Sequence, residues 1–167
     1  KGVIKKKKSV KKSVKKSVKK SVKKSVKKKP SRTLNFNEHL LLNKIKEYYD
    51  EHNNINIILP ILNGTSGISL RIIDWFVTNF SKKNNIYYKL SNEKQFTVYQ
   101  SYKSQLKAYQ KKKFDPFCRR ERISYTHKEH KIQTTIGQLN FFKWALENKI
   151  LNYIKKNLKI IEDDMYI

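Results

Sequence analysis

Cationic and aromatic side chains alternate over one short stretch of this chain, residues 99–125. The stretch begins with four residues spaced by three, four and three positions, which predicts one face of a helix: Tyr99, Tyr102, Leu106 and Tyr109. Three lysines, a turn at residues 114–117 and three arginines follow. Cations bind phosphates and aromatic rings stack on bases, so the pattern is typical of a nucleic-acid-binding surface. A helix with a tyrosine-lined core face and a solvated basic end fits it as well.

From the first of these two interpretations, we predict that eight residues of the stretch contact nucleic acid. Lysines near the end of a helix also complement the helix dipole, which gives the lysines a purely structural explanation. The arginines have no such explanation. The predicted contact residues are Tyr109, Lys111, Lys112, Lys113, Phe117, Arg119, Arg120 and Arg122.

A second concentration of positive charge lies at the N-terminal end. Residues 1–32 contain 17 basic and no acidic residues, and a Ser-Val-Lys-Lys repeat runs through five copies from Ser9. With valine as its main apolar residue, this segment buries too little surface to offset the entropy of ordering, so we expect a disordered basic tail. A solubilising or localising tail is the alternative. The lysines predicted to contact phosphates are Lys11, Lys12, Lys15, Lys16, Lys19, Lys20, Lys23 and Lys24.

The remaining chain predicts one α+β domain over residues 33–160, followed by an acidic end at 161–167. We expect a small antiparallel sheet flanked by three or four helices. The predicted helices cover residues 35–52, 69–80, 99–113 and a segment behind Thr135 with a break at Asn148-Lys149. The predicted strands are Ile55–Leu59, Ile86–Leu90, Gln95–Tyr99, Arg122–His127 and 131–135. Thr135 and Gln138 match a capping box.

Sites for catalysis or cofactors have weak support. The glycines at 64 and 67 lack the lysine of a phosphate-binding loop, and Ser69 fits better as a helix cap. Cys118, His127 and His130 are too few and poorly spaced for a zinc site, and no third group orients the cysteine as a nucleophile. The acidic residues Asp74, Asp115, Glu121 and Glu129 are scattered, with no reason to converge. We therefore predict a protein that is not an enzyme, with no catalytic residues, metal or cofactor.

The charge balance and the absence of long apolar runs limit the partners. Residues 33–167 still hold 22 basic against 13 acidic residues, which favours a polyanionic partner: DNA, RNA or an anionic membrane surface. No apolar run approaches the roughly 20 residues that cross a bilayer. A single cysteine fits a reducing compartment. These features predict a location in the nucleus or cytoplasm of a cell.

Three segments resemble a family of small basic proteins of nucleocytoplasmic large DNA viruses (giant viruses), for which no activity is established. They are residues 68–79 (ISLRIIDWFVTN), 105–120 from QLKAY to FDPFCRR, and 134–142 (TTIGQLNFF), and the resemblance covers roughly residues 55–155. It implies a viral source and association with virions, and it assigns no catalytic residue.

Taken together, these features predict a non-enzymatic protein that binds nucleic acid in genome packaging or virion structure. Virion proteins are further candidate partners. The alternatives are a minor capsid or scaffold protein whose basic tail binds an assembly, and a viral protein of another, unknown function.

Overall fold

A computed structural model of the chain describes residues 33–167, and Leu34–Ile167 form one compact unit. The first helix, α1 (Phe36–His52), begins where predicted, because Asn35 and Glu38 form a complete capping box. The Asn35 side chain accepts from the Glu38 backbone N–H at 2.9 Å, and the Glu38 carboxylate accepts from the Asn35 N–H at 2.9 Å. The predicted tail lies outside the described residues.

The predicted strand at Ile55–Leu59 is wrong, because this segment is helix α2 (Ile55–Leu62). Its buried residues, Ile55, Ile58 and Ile61, recur every three positions, which is the spacing of a helical face. Pro60 is exposed, and its carbonyl accepts from the N–H groups of Thr65 and Ser66 in the turn that follows. Burial of the isoleucine face therefore outweighs the strand preference of β-branched residues.

The core-like helix predicted over residues 69–80 is confirmed and continues slightly further. It consists of α3 (Leu70–Trp75), a π-helical segment (Phe76–Phe80) and α4 (Ser81–Lys83). The Ser69 hydroxyl accepts from the Ile72 N–H at 3.2 Å, so Ser69 is the cap that the sequence predicted. The buried face of this helix consists of Ile72, Ile73, Phe76, Val77 and Phe80.

The strands form two separate antiparallel hairpins, which corrects the prediction of one small sheet. The first hairpin pairs β1 (Tyr87–Lys89) with β2 (Gln95–Thr97), and the second pairs β3 (Ile123–His127) with β4 (His130–Thr134). Aromatic rings cover each hairpin: Phe96 packs near Trp144 at 6.3 Å between ring centroids, and Tyr125 packs near Tyr49 at 6.4 Å. Each hairpin has one apolar face, and helical side chains cover it, so the two do not need to merge.

The remaining helices are α5 (Val98–Lys113), α6 (Ile136–Glu147), α7 (Ile150–Lys156) and α8 (Leu158–Met165). The break predicted near Asn148-Lys149 is confirmed, and Lys149 adopts a left-handed conformation there. The described helices outnumber the three or four that the sequence predicted. The boundary predicted at residue 160 falls inside α8, whose Ile161 is buried. Within residues 33–167, no helix is both long enough and apolar enough to cross a membrane.

Helix α6 lies at the centre of this arrangement. Phe141 and Phe142 on it are fully buried. The Tyr49 hydroxyl of α1 donates to the Leu139 carbonyl of α6 at 2.9 Å. Burial is the main cause that raises the pKa of the Tyr49 hydroxyl well above its ordinary value.

Because of Tyr49, we expect the stability of the fold to decrease as the pH rises in the alkaline range. Above about pH 10 the unfolded tyrosine ionises while the folded one keeps its proton, so the free energy of unfolding falls as pH rises, by up to about 1.4 kcal/mol per pH unit for this residue. Urea unfolding at several values above about pH 9 measures that slope. Tyr49→Phe should make it shallower, whereas Tyr87→Phe, at an exposed site, should leave it unchanged. If the unchanged protein, Tyr49→Phe and Tyr87→Phe all gave the same slope, Tyr49 would not be the cause of the pH dependence.

Candidate nucleic-acid interface

Helix α5 carries the basic stretch, and its regular geometry is interrupted at Gln110. The Gln110 backbone has φ 57° and ψ 168°, a region that residues other than glycine rarely occupy. Such a conformation costs on the order of 1–3 kcal/mol and persists only where its surroundings fix it. The three lysines that follow therefore leave the line of the helix in a set direction.

Contacts with α6 fix the backbone that follows this break. The Asn140 side chain donates to the Lys113 carbonyl at 2.8 Å. Gly137 allows close approach, since a Cβ atom there would lie 3.1 Å from the Lys112 carbonyl oxygen and 3.2 Å from the Phe114 nitrogen. The Gly137 carbonyl accepts from the N–H of Asp115 at 3.3 Å. The segment thus lies directly on the first turns of α6.

Gln138 supplies another contact of this kind, and it corrects the predicted capping box. The Thr135 hydroxyl accepts from the Gln138 N–H at 3.0 Å, so Thr135 caps α6 as expected. The Gln138 side chain does not close the box. It donates to the Pro116 carbonyl at 2.9 Å and accepts from the Thr134 hydroxyl at 2.7 Å. Because Gln138 is buried, both bonds are shielded from water.

Phe114 anchors the segment in the core, with 1% of its surface exposed. Its ring lies 5.4 Å from that of Trp144 and 5.1 Å from that of Phe141, measured between centroids. The Tyr109 ring stacks on that of Phe114, with 6.5 Å between centroids. The sequence predicted a turn here, and the structure adds that the turn inserts a side chain into the core.

Arg119 forms the strongest polar contact of the turn. Its Nε donates to Asp115 Oδ2 at 3.1 Å, and a terminal nitrogen donates to Oδ1 at 3.2 Å. Asp115 is buried and also accepts from the Phe117 N–H at 3.1 Å. The guanidinium of Arg119 lies over the Phe117 ring at 4.9 Å. Two of the predicted contact residues, Arg119 and Phe117, therefore interact with each other, and the Arg119 charge is compensated.

Asp74 and Asp115, which are scattered in the sequence, come close enough in the fold to interact electrostatically. Burial is the main cause that raises the pKa of the Asp74 carboxyl; Asp115 adds to the increase, while Lys111 and Arg119 oppose it. Burial and these two carboxylates raise the pKa of Tyr102 to about 12. Lys111 and Arg119 are thus the two cations of the stretch whose charge acts on these carboxylates.

The positive charge left on the segment belongs to four side chains. Lys112, Arg120 and Arg122 are exposed, and Lys113 is half-buried. None of the four forms an ion pair within residues 33–167. Of the six predicted basic residues of the segment, Lys111 and Arg119 therefore act on the two carboxylates. The other four carry charge that is available to a ligand.

A second cluster of cations and an aromatic ring, which the sequence did not single out, lies at the start of α5. Lys82 of α4 and Lys103 of α5 place their ammonium groups 5.5 and 5.8 Å from the centre of the half-buried Tyr99 ring. The spacing of Tyr99 and Lys103, four residues apart on a helix, was a usable signal. The position of Lys82 depends on tertiary packing, and no sequence signal indicated it.

The histidines and the cysteine do not converge. His127 is buried, with Nδ1 3.0 Å from Asp50 Oδ1 and Nε2 3.4 Å from Asn53 Oδ1. His130 is exposed and Cys118 half-buried. In the part of the chain that the structure describes, no three His, Cys, Asp or Glu side chains are grouped so that they could hold a metal ion. The eight predicted lysines of the repeat lie outside that part.

Comparison with known proteins gives a family and a source. A family model described as a family of unknown function (DUF7197) matches residues 20–166. "Uncharacterized protein L507" of Acanthamoeba polyphaga mimivirus is 43% identical over 135 residues, which cover 75% of this chain and 52% of the relative. The chain thus spans about half the length of that relative. No solved structure matches this chain.

The buried contacts of Gln138 lead to a prediction about stability. Gln138→Leu leaves the Pro116 carbonyl and the Thr134 hydroxyl without this partner, so we expect a loss of about 1–3 kcal/mol in the free energy of unfolding. Urea unfolding measures it, and amide exchange at Asp115 and Phe117 should accelerate. Gln133→Leu, at an exposed site on β4, is the matched control and should change stability little. A loss as large in the control as in Gln138→Leu would refute this role.

Proposed function

The chain belongs to the DUF7197 family, a family of giant-virus proteins of unknown function, and from that premise we propose that it binds nucleic acid without catalysing a reaction. The observation that carries the proposal is the set of four uncompensated cations, Lys112, Lys113, Arg120 and Arg122, on a segment anchored in the core. We place this binding in genome packaging or virion structure, in a virion or inside the host cell.

A fixed backbone makes these four cations effective ligands for phosphate. Two hydrogen bonds from α6 and the buried Phe114 ring already order the chain that carries them, so binding costs little further backbone entropy. Arginine also presents a planar group that can donate two hydrogen bonds to one phosphate. The same contacts suit DNA and RNA, because both have a phosphate backbone.

The basic tail adds affinity of a different kind. Its repeated lysine pairs neutralise phosphates regardless of sequence, with strong dependence on salt. Once one piece is bound, linkage on a single chain raises the effective concentration of the other. We therefore assign most of the affinity to residues 1–32 and the placement of the strand to the folded segment.

Removal of residues 1–29 tests the first part of that assignment. We expect the affinity for random-sequence duplex DNA to fall at least about tenfold at low salt, because most of the phosphate-neutralising charge is lost. Electrophoretic titration across a range of salt concentrations measures it, with circular dichroism as the check on folding. An unchanged affinity would mean that the tail does not contact the nucleic acid.

The double variant Arg120→Gln/Arg122→Gln tests the folded segment. In the shortened chain, the slope of log affinity against log salt should become shallower by about 2, since each lost phosphate contact contributes about 0.9 on duplex DNA. The control Lys155→Gln/Lys156→Gln removes the same charge from exposed positions on α7 and should leave the slope nearly unchanged. If both variants change the slope equally, net charge is responsible and the assigned surface is wrong.

A further inference from the structure

A polar groove of about 440 Å³ lies between α5 and α6. The β1–β2 hairpin contributes Lys94, Gln95 and Phe96 to its lining. Its volume falls within the range of small-ligand sites, roughly 300–1,000 Å³.

The α5 side of the groove presents three side chains four residues apart: Ser101, Gln105 and Tyr109. Gln105 is half-buried and makes no hydrogen bond within residues 33–167, so both ends of its amide are open to a ligand. An amide donates through nitrogen and accepts through oxygen. Gln105 can therefore complement a ligand edge that carries both kinds of group.

The α6 side adds an aromatic wall and further acceptors. Trp144 is oriented by a hydrogen bond from its indole N–H to the Ser101 hydroxyl at 2.9 Å. The side-chain nitrogens of Asn140 and Asn148 donate to the carbonyls of Lys113 and Trp144, which directs their amide oxygens elsewhere. Rings combined with amides suit a flat ligand that is apolar on its faces and polar on its edges.

The charge and position of the groove connect it with the basic segment. Lys143 pairs with Glu147, whereas Lys94 forms no ion pair within the described part of the chain, so the lining carries one net positive charge. Asn140 lines the groove and at the same time holds the Lys113 carbonyl. The groove thus shares Asn140 with the segment that carries the uncompensated cations.

We propose that this groove takes one unstacked base of a single-stranded nucleic acid whose phosphates lie on Lys112 and Lys113. The proposal rests on the proposed function and adds to it a site for a single strand. In a duplex the base edges are already paired and the faces are stacked, so a base enters the groove only from an unpaired strand. Tyr109 and Trp144 then contact the base, and Gln105 bonds to its edge.

The indole N–H signal of Trp144 in the full chain reports on the groove directly. The other tryptophan, Trp75, donates its indole N–H to Asp164 at 2.9 Å outside the groove and is the internal control. Titration with an oligodeoxynucleotide of about ten nucleotides, and separately with the oligoribonucleotide of the same sequence, uses a strand long enough for one site. A shift of the Trp144 signal with either strand, and none with the matching duplex, is the expected result.

Matched variants show whether Gln105 recognises the base. Gln105→Glu keeps the shape of the side chain but removes its donors, so the shift of Trp144 caused by the single strand should be lost. Gln100→Glu makes the same charge change at an exposed position of α5 and should keep the shift. The proposal is overturned if Trp144 does not move, if the duplex moves it as much, or if both variants behave alike.

These outcomes are separable from a failure of the proposed function. Duplex binding that responds to Arg120 and Arg122 while the Trp144 signal stays still would retain the proposed function and remove the base site. Conversely, if no nucleic acid binds in the electrophoretic titration, both proposals fall.

Discussion

The close approach of the chain at residues 112–114 to Gly137 is the contact on which the surrounding structure depends. A side chain at position 137 would meet backbone atoms, which cannot rotate away as a flexible side chain can. The approach lets Phe114 enter the core and brings the Asn140 side chain within reach of the Lys113 carbonyl. It also accounts for Gln110, because the chain must leave the helix in an unusual conformation to reach α6.

Compensation of charge determines which part of the basic stretch can serve a ligand. A buried carboxylate such as Asp115 needs a partner, because an unpaired charge in the core is costly. Arg119 is that partner and is thereby fixed over Phe117. The ion pair between Arg119 and Asp115 neutralises one cation of the stretch. The same pair holds the turn that is followed by Arg120 and Arg122, whose charges remain available.

Local signals in the sequence predicted much of the fold, and tertiary contacts account for the rest. Caps at Asn35, Ser69 and Thr135 depend on residues three positions away, which the sequence displays. The helix at Ile55–Leu62 was missed because a short run of isoleucines suits both a strand and a buried helix. Two other features depend on segments that meet only in the folded chain. They are the electrostatic interaction of Asp74 with Asp115 and the hydrogen bond from the Gln138 side chain to the Pro116 carbonyl.

The two concentrations of positive charge differ in what they can distinguish. Contacts with phosphates position a strand but carry no information on its bases, and a repeat made of lysine, serine and valine offers little else. The folded segment shares Asn140 with a groove of amides and rings, the proposed site for a base, and base edges differ in their hydrogen-bonding groups. The repeat can therefore add affinity without selectivity, and the proposed selectivity for single strands resides in residues 33–167.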